Sequence, residues 1–108
     1  MEGKVRCIIK RPDEEYGHVT NISTSLKNLQ KIVGGPIETV TIGGSSVIIC
    51  NEEGKLRNLE CNFIIDYHGI VTDIIVGEAI IIGVDGDDFC DLPMSFATWK
   101  RLLEDWGN

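Results

Sequence analysis

Between Val47 and Gly83 the chain alternates short apolar runs with polar turns: VIIC, then NEEGKLRNLECN, FII, DYHG, IVTDIIVG and finally EAIIIG. Apolar runs this short, bounded by Gly, Asn and Asp, suit strands and are too brief for helices. The chain is therefore constrained to build a sheet. Ile37–Ile42 alternates apolar and polar residues, Gly43-Gly44 reads as a hairpin turn because both positions accept positive φ, and Ser45–Cys50 returns as a strand. Asn51–Gly54 is a turn, and Lys55–Asn62 a helical turn or loop. Phe63–Ile65 and Ile70-Val71 flank a hairpin turn at Asp66–Gly69. Ile74–Gly77 reads as a bend. Ala79–Val84 is apolar without alternation, which implies a central strand buried on both faces.

Upstream, Val5, Cys7 and Ile9 alternate within Lys4–Arg11, and Tyr16–Ile22 is again extended, so the two can pair across the Pro12–Glu15 turn. A helix follows. Thr24 or Ser25 can cap it, Leu26, Leu29 and Val33 share one face, and Gly34 and Pro36 end it. Lys31 complements its dipole. Asp85–Asp91 reads as an acidic loop in which Asp91 could cap the next helix. Ser95–Trp106 is that helix, with Phe96, Trp99, Leu102, Leu103 and Trp106 on one side and Gly107 as its stop. The expected fold is α+β: a bent, mostly antiparallel sheet of about six strands, or a partial barrel, with two helices packed on it. The expected core comprises Val5, Ile9, Leu29, Val33, Val40, Ile42, Ile48, Cys50, Ile64, Ile75, Ile81, Trp99 and Leu103.

A length of 108 residues implies a single globular domain over 1–108. With 43% hydrophobic residues it can build a core without disulfides. A net charge of −7 disfavours nucleic acid, which needs a cationic footprint, and permits basic protein surfaces as partners. No apolar signal region follows Met1, and the longest uncharged run, Thr39–Asn51, is too short and too rich in Gly and Ser to span a bilayer. The expectation is a cytoplasmic protein with no membrane association. Cys7, Cys50, Cys61 and Cys90 are scattered without a CxxC pair, so they read as small apolar residues. No metal site and no cofactor is expected.

Several motifs exclude themselves. Gly43-Gly44-Ser45-Ser46 lacks the Lys and the following helix of a phosphate loop. Counted from Asp85 as a calcium loop, the fifth and twelfth positions are Phe89 and Phe96, which cannot ligate. His18 and His68 have no nucleophile elbow or adjacent partner. One polar cluster remains. Asn51, Glu52, Glu53, Lys55, Arg57 and Asn62 gather amides, carboxylates and cations beside apolar strand ends, as ligand pockets often do. The competing reading is a turn with a structural Asn bonded to backbone. Asp85, Asp87, Asp88 and Asp91 form a second candidate, an acidic surface for a basic partner.

Val33-Gly34-Gly35, Ile49–Leu56, Asn62, Asp66–Gly69, Asp73–Gly83, Asp85–Phe89 and the last helix together resemble an uncharacterised domain family of bacteria, phages and conjugative elements, over about residues 4–106. That family also occurs as a module of large polyvalent mobile-element proteins, beside antirestriction domains. It tends to carry Arg after the central Asn, where this chain has Phe63. The resemblance implies genomic company, and no mechanism follows from it. The first functional expectation is a non-catalytic binding protein of a phage or mobile element, a counter-defence factor that engages a host or defence protein through acidic loops. The alternative is a small-ligand module sequestering a nucleotide signal. An enzyme of unknown class is the weaker alternative. An exposed strand edge would admit a homodimer.

Overall fold

A computed structural model describes residues 3–108. The strands are β1 (Val5–Lys10), β2 (His18–Ile22), β3 (Ile37–Gly43), β4 (Ser46–Asn51), β5 (Cys61–Tyr67), β6 (Ile70–Val76), β7 (Ala79–Asp85) and β8 (Asp88–Cys90), with helices α1 (Leu26–Val33) and α2 (Phe96–Asp105). Five strands run antiparallel in the order β2-β1-β7-β4-β3, and β8, paired with β7 off that path, makes the sheet six-stranded among the described residues. β8 bonds the length of β7 beyond β1, so β1 and β8 lie end to end along one edge of β7. The Leu92 N–H donates to the Arg6 carbonyl at 2.9 Å, and Asp91 Oδ1 accepts from the Arg6 N–H at 2.8 Å, which closes that junction. β5 and β6 form a separate hairpin. The fold is α+β with an open sheet; it is not a closed barrel.

The sheet is the middle layer. Cys7, Ile9, Val47, Ile49, Ile80 and Ile82 face α1, which contributes Leu29 and Val33. Ile8, Ile48, Cys50, Ala79 and Ile81 face the opposite way, onto α2 and the β5–β6 hairpin. β4 and β7 are thus covered on both faces, as the unbroken apolar run of β7 implies. On the second face Phe63 and Trp99 meet edge to face at 5.6 Å, Trp99 and Trp106 at 6.0 Å, and Phe63 and Trp106 stack at 6.2 Å. Such ring geometries add to simple burial, and here they join the hairpin to α2.

Ser25 caps α1, its hydroxyl accepting from the Asn28 N–H, and Gly34 closes it at φ 83°. Ser95, not Asp91, caps α2. Leu26 is exposed, because the apolar stripe of α1 that reaches the sheet is Leu29 and Val33, with Ile32 packed at its margin. Val5, Val40, Ile42 and Ile64 are half-buried, each lying where the sheet or hairpin meets solvent. The Gly43-Gly44 turn shifts by one residue: Gly43 pairs with Ser46, and Gly44 and Ser45 turn at φ 60° each, with a bulge between Thr41 and Gly43 absorbing the slip. The Asp85–Asp91 segment is a hairpin and not a loop, since Asp88–Cys90 pairs back onto β7. A Cβ at Gly83 would run into the Asp91 carbonyl, so the close return of this segment requires glycine there. Ile74–Val76 continues β6 without a bend, which falls only at Gly77. Cys61 and Asn62 belong to β5, not to the preceding loop.

Candidate functional site

The segment after β4 is a compact run of turns, and most of its polar groups are bonded to the fold. Asn51 is buried; its Nδ2 donates to the Val33 carbonyl at the end of α1 at 3.1 Å, and its Oδ1 accepts from the Glu53 N–H at 2.8 Å. Arg57 Nη1 donates to the Gly34 carbonyl at 2.9 Å, so a cation meets the negative end of α1. Lys55 Nζ pairs with Asp73 Oδ1 at 3.3 Å on the surface. Glu52 and Glu53 are exposed. Gly54 is held in place by crowding: a Cβ there would lie 2.7 Å from Val76 Cγ2.

Asn62 stands apart from this group. Its Nδ2 donates to the carbonyls of Lys10 and Gly77, each at 2.7 Å, and its Oδ1 accepts from Lys10 Nζ at 2.7 Å. One carboxamide thereby ties β1, β5 and the β6–β7 turn together. Lys10 is 3% exposed, with its ammonium 5.6 Å from the Phe63 ring centre. Burial pushes its pKa below the ordinary 10.5, against the opposing pull of Glu14. Phe63 is itself fully packed in the aromatic cluster, so the position after the central Asn is core in this chain.

Of the six loop candidates, Asn51, Glu52 and Lys55 line a cleft between β3–β4 and β6, together with Glu38, Cys50 and Asp73. Glu53, Arg57 and Asn62 lie outside it. Its volume is about 30 Å³, enough for a water or two and an order of magnitude below the ~300–1,000 Å³ of small-molecule pockets. The Cys50 thiol in its wall is pushed up to about 11 by burial, aided by Glu38 and Asp73, so it stays protonated at neutral pH. Burial likewise pushes Cys7 up to about 11. A wider groove of about 360 Å³ runs along the outer side of α2, past Phe96, Lys100, Arg101 and Glu104, and is broadly open to solvent. Lys100 lies there over the Tyr16 ring at 4.8 Å, and the Tyr16 hydroxyl donates to Glu104 at 2.7 Å.

The acidic candidates divide. Asp85, Asp87 and Asp88 stand exposed around the β7–β8 turn, whereas Asp91 is engaged with the Arg6 backbone. The Asp13–Glu15 turn lies at the opposite end of the sheet, beside the start of β7, so the acidic segments do not form one surface. His18 bonds Glu14 at 2.9 Å, and His68 occupies the β5–β6 turn at φ 53°. Among the described residues no His, Cys, Asp and Glu cluster is arranged to hold a metal ion, and no helix is long and apolar enough to cross a membrane.

These features define a small α+β domain: an open antiparallel sheet between one helix on one face and a helix with a hairpin on the other. The chain belongs to the family described as domain of unknown function DUF3846, whose family model matches residues 5–106. Comparison with curated proteins and with solved structures finds no match.

Proposed function

We propose that this domain is a non-catalytic binding protein of a phage or mobile element, acting in the cytoplasm as a counter-defence factor that engages a basic surface of a host or defence protein. The observation that carries the reading is the β7–β8 turn. Asp85, Asp87 and Asp88 are exposed there, and among the described residues no cation lies within ion-pair distance of them. Like charges crowded on one tight turn repel, and a cationic partner relieves that repulsion while steering encounter. The polar loop supports the same reading from the other side: Asn51, Arg57 and Asn62 spend their hydrogen bonds on backbone within the domain.

Affinity capture from bacterial host lysate at low and high salt tests this. The wild-type chain is expected to retain a partner that high salt releases, and the combined Asp85→Asn, Asp87→Asn, Asp88→Asn variant to lose it. Capture unaffected by salt and by these substitutions would overturn the assignment. The nucleotide-sequestering alternative requires the cleft beside Asn51 and Lys55 to open well beyond its 30 Å³. A rise in melting temperature with one member of a nucleotide panel would favour that alternative. Turnover of any substrate dependent on a named side chain would favour an enzyme instead.

A further inference from the structure

The β5–β6 hairpin has two outer edges, and they are finished differently. On β6 the Ile74 N–H is taken by Asp73 Oδ1 at 2.8 Å, and Asp73 is paired with Lys55. Charge placed on an edge in this way discourages further strand pairing. On β5 the edge is occupied. The Ile64 N–H donates to Asn108 Oδ1 at 2.9 Å, and Asn108 Nδ2 donates to the Ile64 carbonyl at 2.9 Å. A donor and an acceptor on one residue, met by an acceptor and a donor of one amide, reproduce what an adjacent strand offers. Gly107, at φ 90°, turns the chain after α2, and the Asn108 N–H donates to the Leu103 carbonyl at 3.1 Å, which aims the side chain at Ile64.

The surroundings state what else could sit there. Of the seven exposed large hydrophobic residues among the described residues, Tyr67, Ile70, Val71 and Ile74 lie on this one hairpin. Its charged residues are Asp66 and Asp73, the last turn of α2 adds Glu104 and Asp105, and the sequence has no Lys or Arg between Arg57 and Lys100. We infer that the β5 edge at Ile64 is a docking edge for an extended segment of a partner protein in which basic and apolar side chains alternate, and that Asn108 holds the place of that segment until displaced. Once Asn108 is displaced, the Ile64 N–H and C=O are open to a strand, and Asp66 and the exposed Asp105 suit its cations, Asp73 being already paired with Lys55 and Glu104 bonded to Tyr16. This is recognition by strand addition. It rests on the reading of the domain as a protein-binding module, and is independent of the acidic β7–β8 turn.

The test is an NMR titration of the full chain with the capped peptide Lys-Val-Thr-Val-Lys-Val to millimolar concentration. Shifts are expected at the Ile64 and Asp66 amides, with release of the Asn108 side-chain amide signal. Asn108→Ala is expected to bind the peptide roughly fivefold tighter, because no clasp must be displaced. Alternate N-methylation of the peptide, or Glu in place of its Lys residues, is expected to weaken binding about tenfold. No shift at Ile64, equal binding of the methylated peptide, or weaker binding by Asn108→Ala would overturn the inference. Dimerisation of Asn108→Ala without peptide would also overturn it, in favour of a second copy as occupant. The Asp85→Asn, Asp87→Asn, Asp88→Asn variant should bind the peptide as the wild type does, so failure at one surface is separable from failure at the other.

Discussion

Asn62 and Lys10 show how a single contact decides the standing of a residue. Asn62 uses both amide hydrogens and its oxygen within the fold. Asn62→Ala leaves two part-buried carbonyls and a buried ammonium without partners, and is expected to cost about 2–4 kcal/mol, measured by urea unfolding; a loss below about 1 kcal/mol would deny it the tie between β1, β5 and the β6–β7 turn. Lys10 carries a pH signature. Its folded pKa is lowered below the unfolded 10.5, first by desolvation. Between the folded and unfolded values the unfolded chain holds the extra proton, so Lys10 contributes a gain in stability as pH rises through that window, and a constant penalty below it. Cys7 and Cys50 act oppositely: raised to about 11 from 9.0, they contribute stability present below pH 9 and lost toward 11. The stability of wild type relative to Lys10→Met cancels the thiols and should rise with pH toward 10.5. A flat difference would mean that Lys10 pays no desolvation penalty. That an Asn of the polar loop could be structural was legible in the sequence, but the Asn62–Lys10 pairing was not, because the two residues are 52 positions apart and the second carbonyl on Asn62, that of Gly77, is 15 away. The alternation of Val5, Cys7 and Ile9 places Lys10 on the other side of β1, and that side is buried only because the hairpin and α2 cover it.

Among the elements, the β5–β6 hairpin is the one that pairs with no strand of the main sheet. A two-stranded sheet is marginal in water, and this one depends on Phe63, Ile65 and Ile75 packing under α2. Its amides should exchange with solvent through smaller openings than those of β4 and β7, as read by native-state hydrogen exchange. Equal protection would show that the hairpin opens only with the whole domain. Gly54 joins the polar loop to this hairpin, and Gly54→Ala, with its Cβ against Val76, is expected to destabilise by about 1–3 kcal/mol in thermal unfolding. Helices and paired strands were readable here because capping, periodicity and turn chemistry are local. The slips came where a longer-range contact outweighed a local signal. β8 reads as loop because Asp87 and Asp88 are poor strand formers, yet the β7 edge beyond β1 is unpaired without it. β6 runs on to Val76 because its pairing with Cys61 extends that far.

Taken whole, the molecule is a sheet sealed on both faces, and the aromatic cluster is the heart of the second seal. Trp99→Ala removes the ring that touches both Phe63 and Trp106, and its indole N–H bond to the Tyr16 carbonyl at 2.8 Å. The expected loss is about 3–5 kcal/mol, together with collapse of near-UV dichroism. The apolar runs and their turn residues determined, through local propensity and burial, that this chain forms a central β7, a β1–β2 pair, two capped helices and an α+β domain. Only the tertiary structure decided which helix covers which face, that the candidate loop's amides are spent on backbone, and that an Asn108 carboxamide stands at the β5 edge. Those outcomes depend on where distant segments meet, and hydrogen-bond partners separated by tens of residues leave no periodic trace in a sequence.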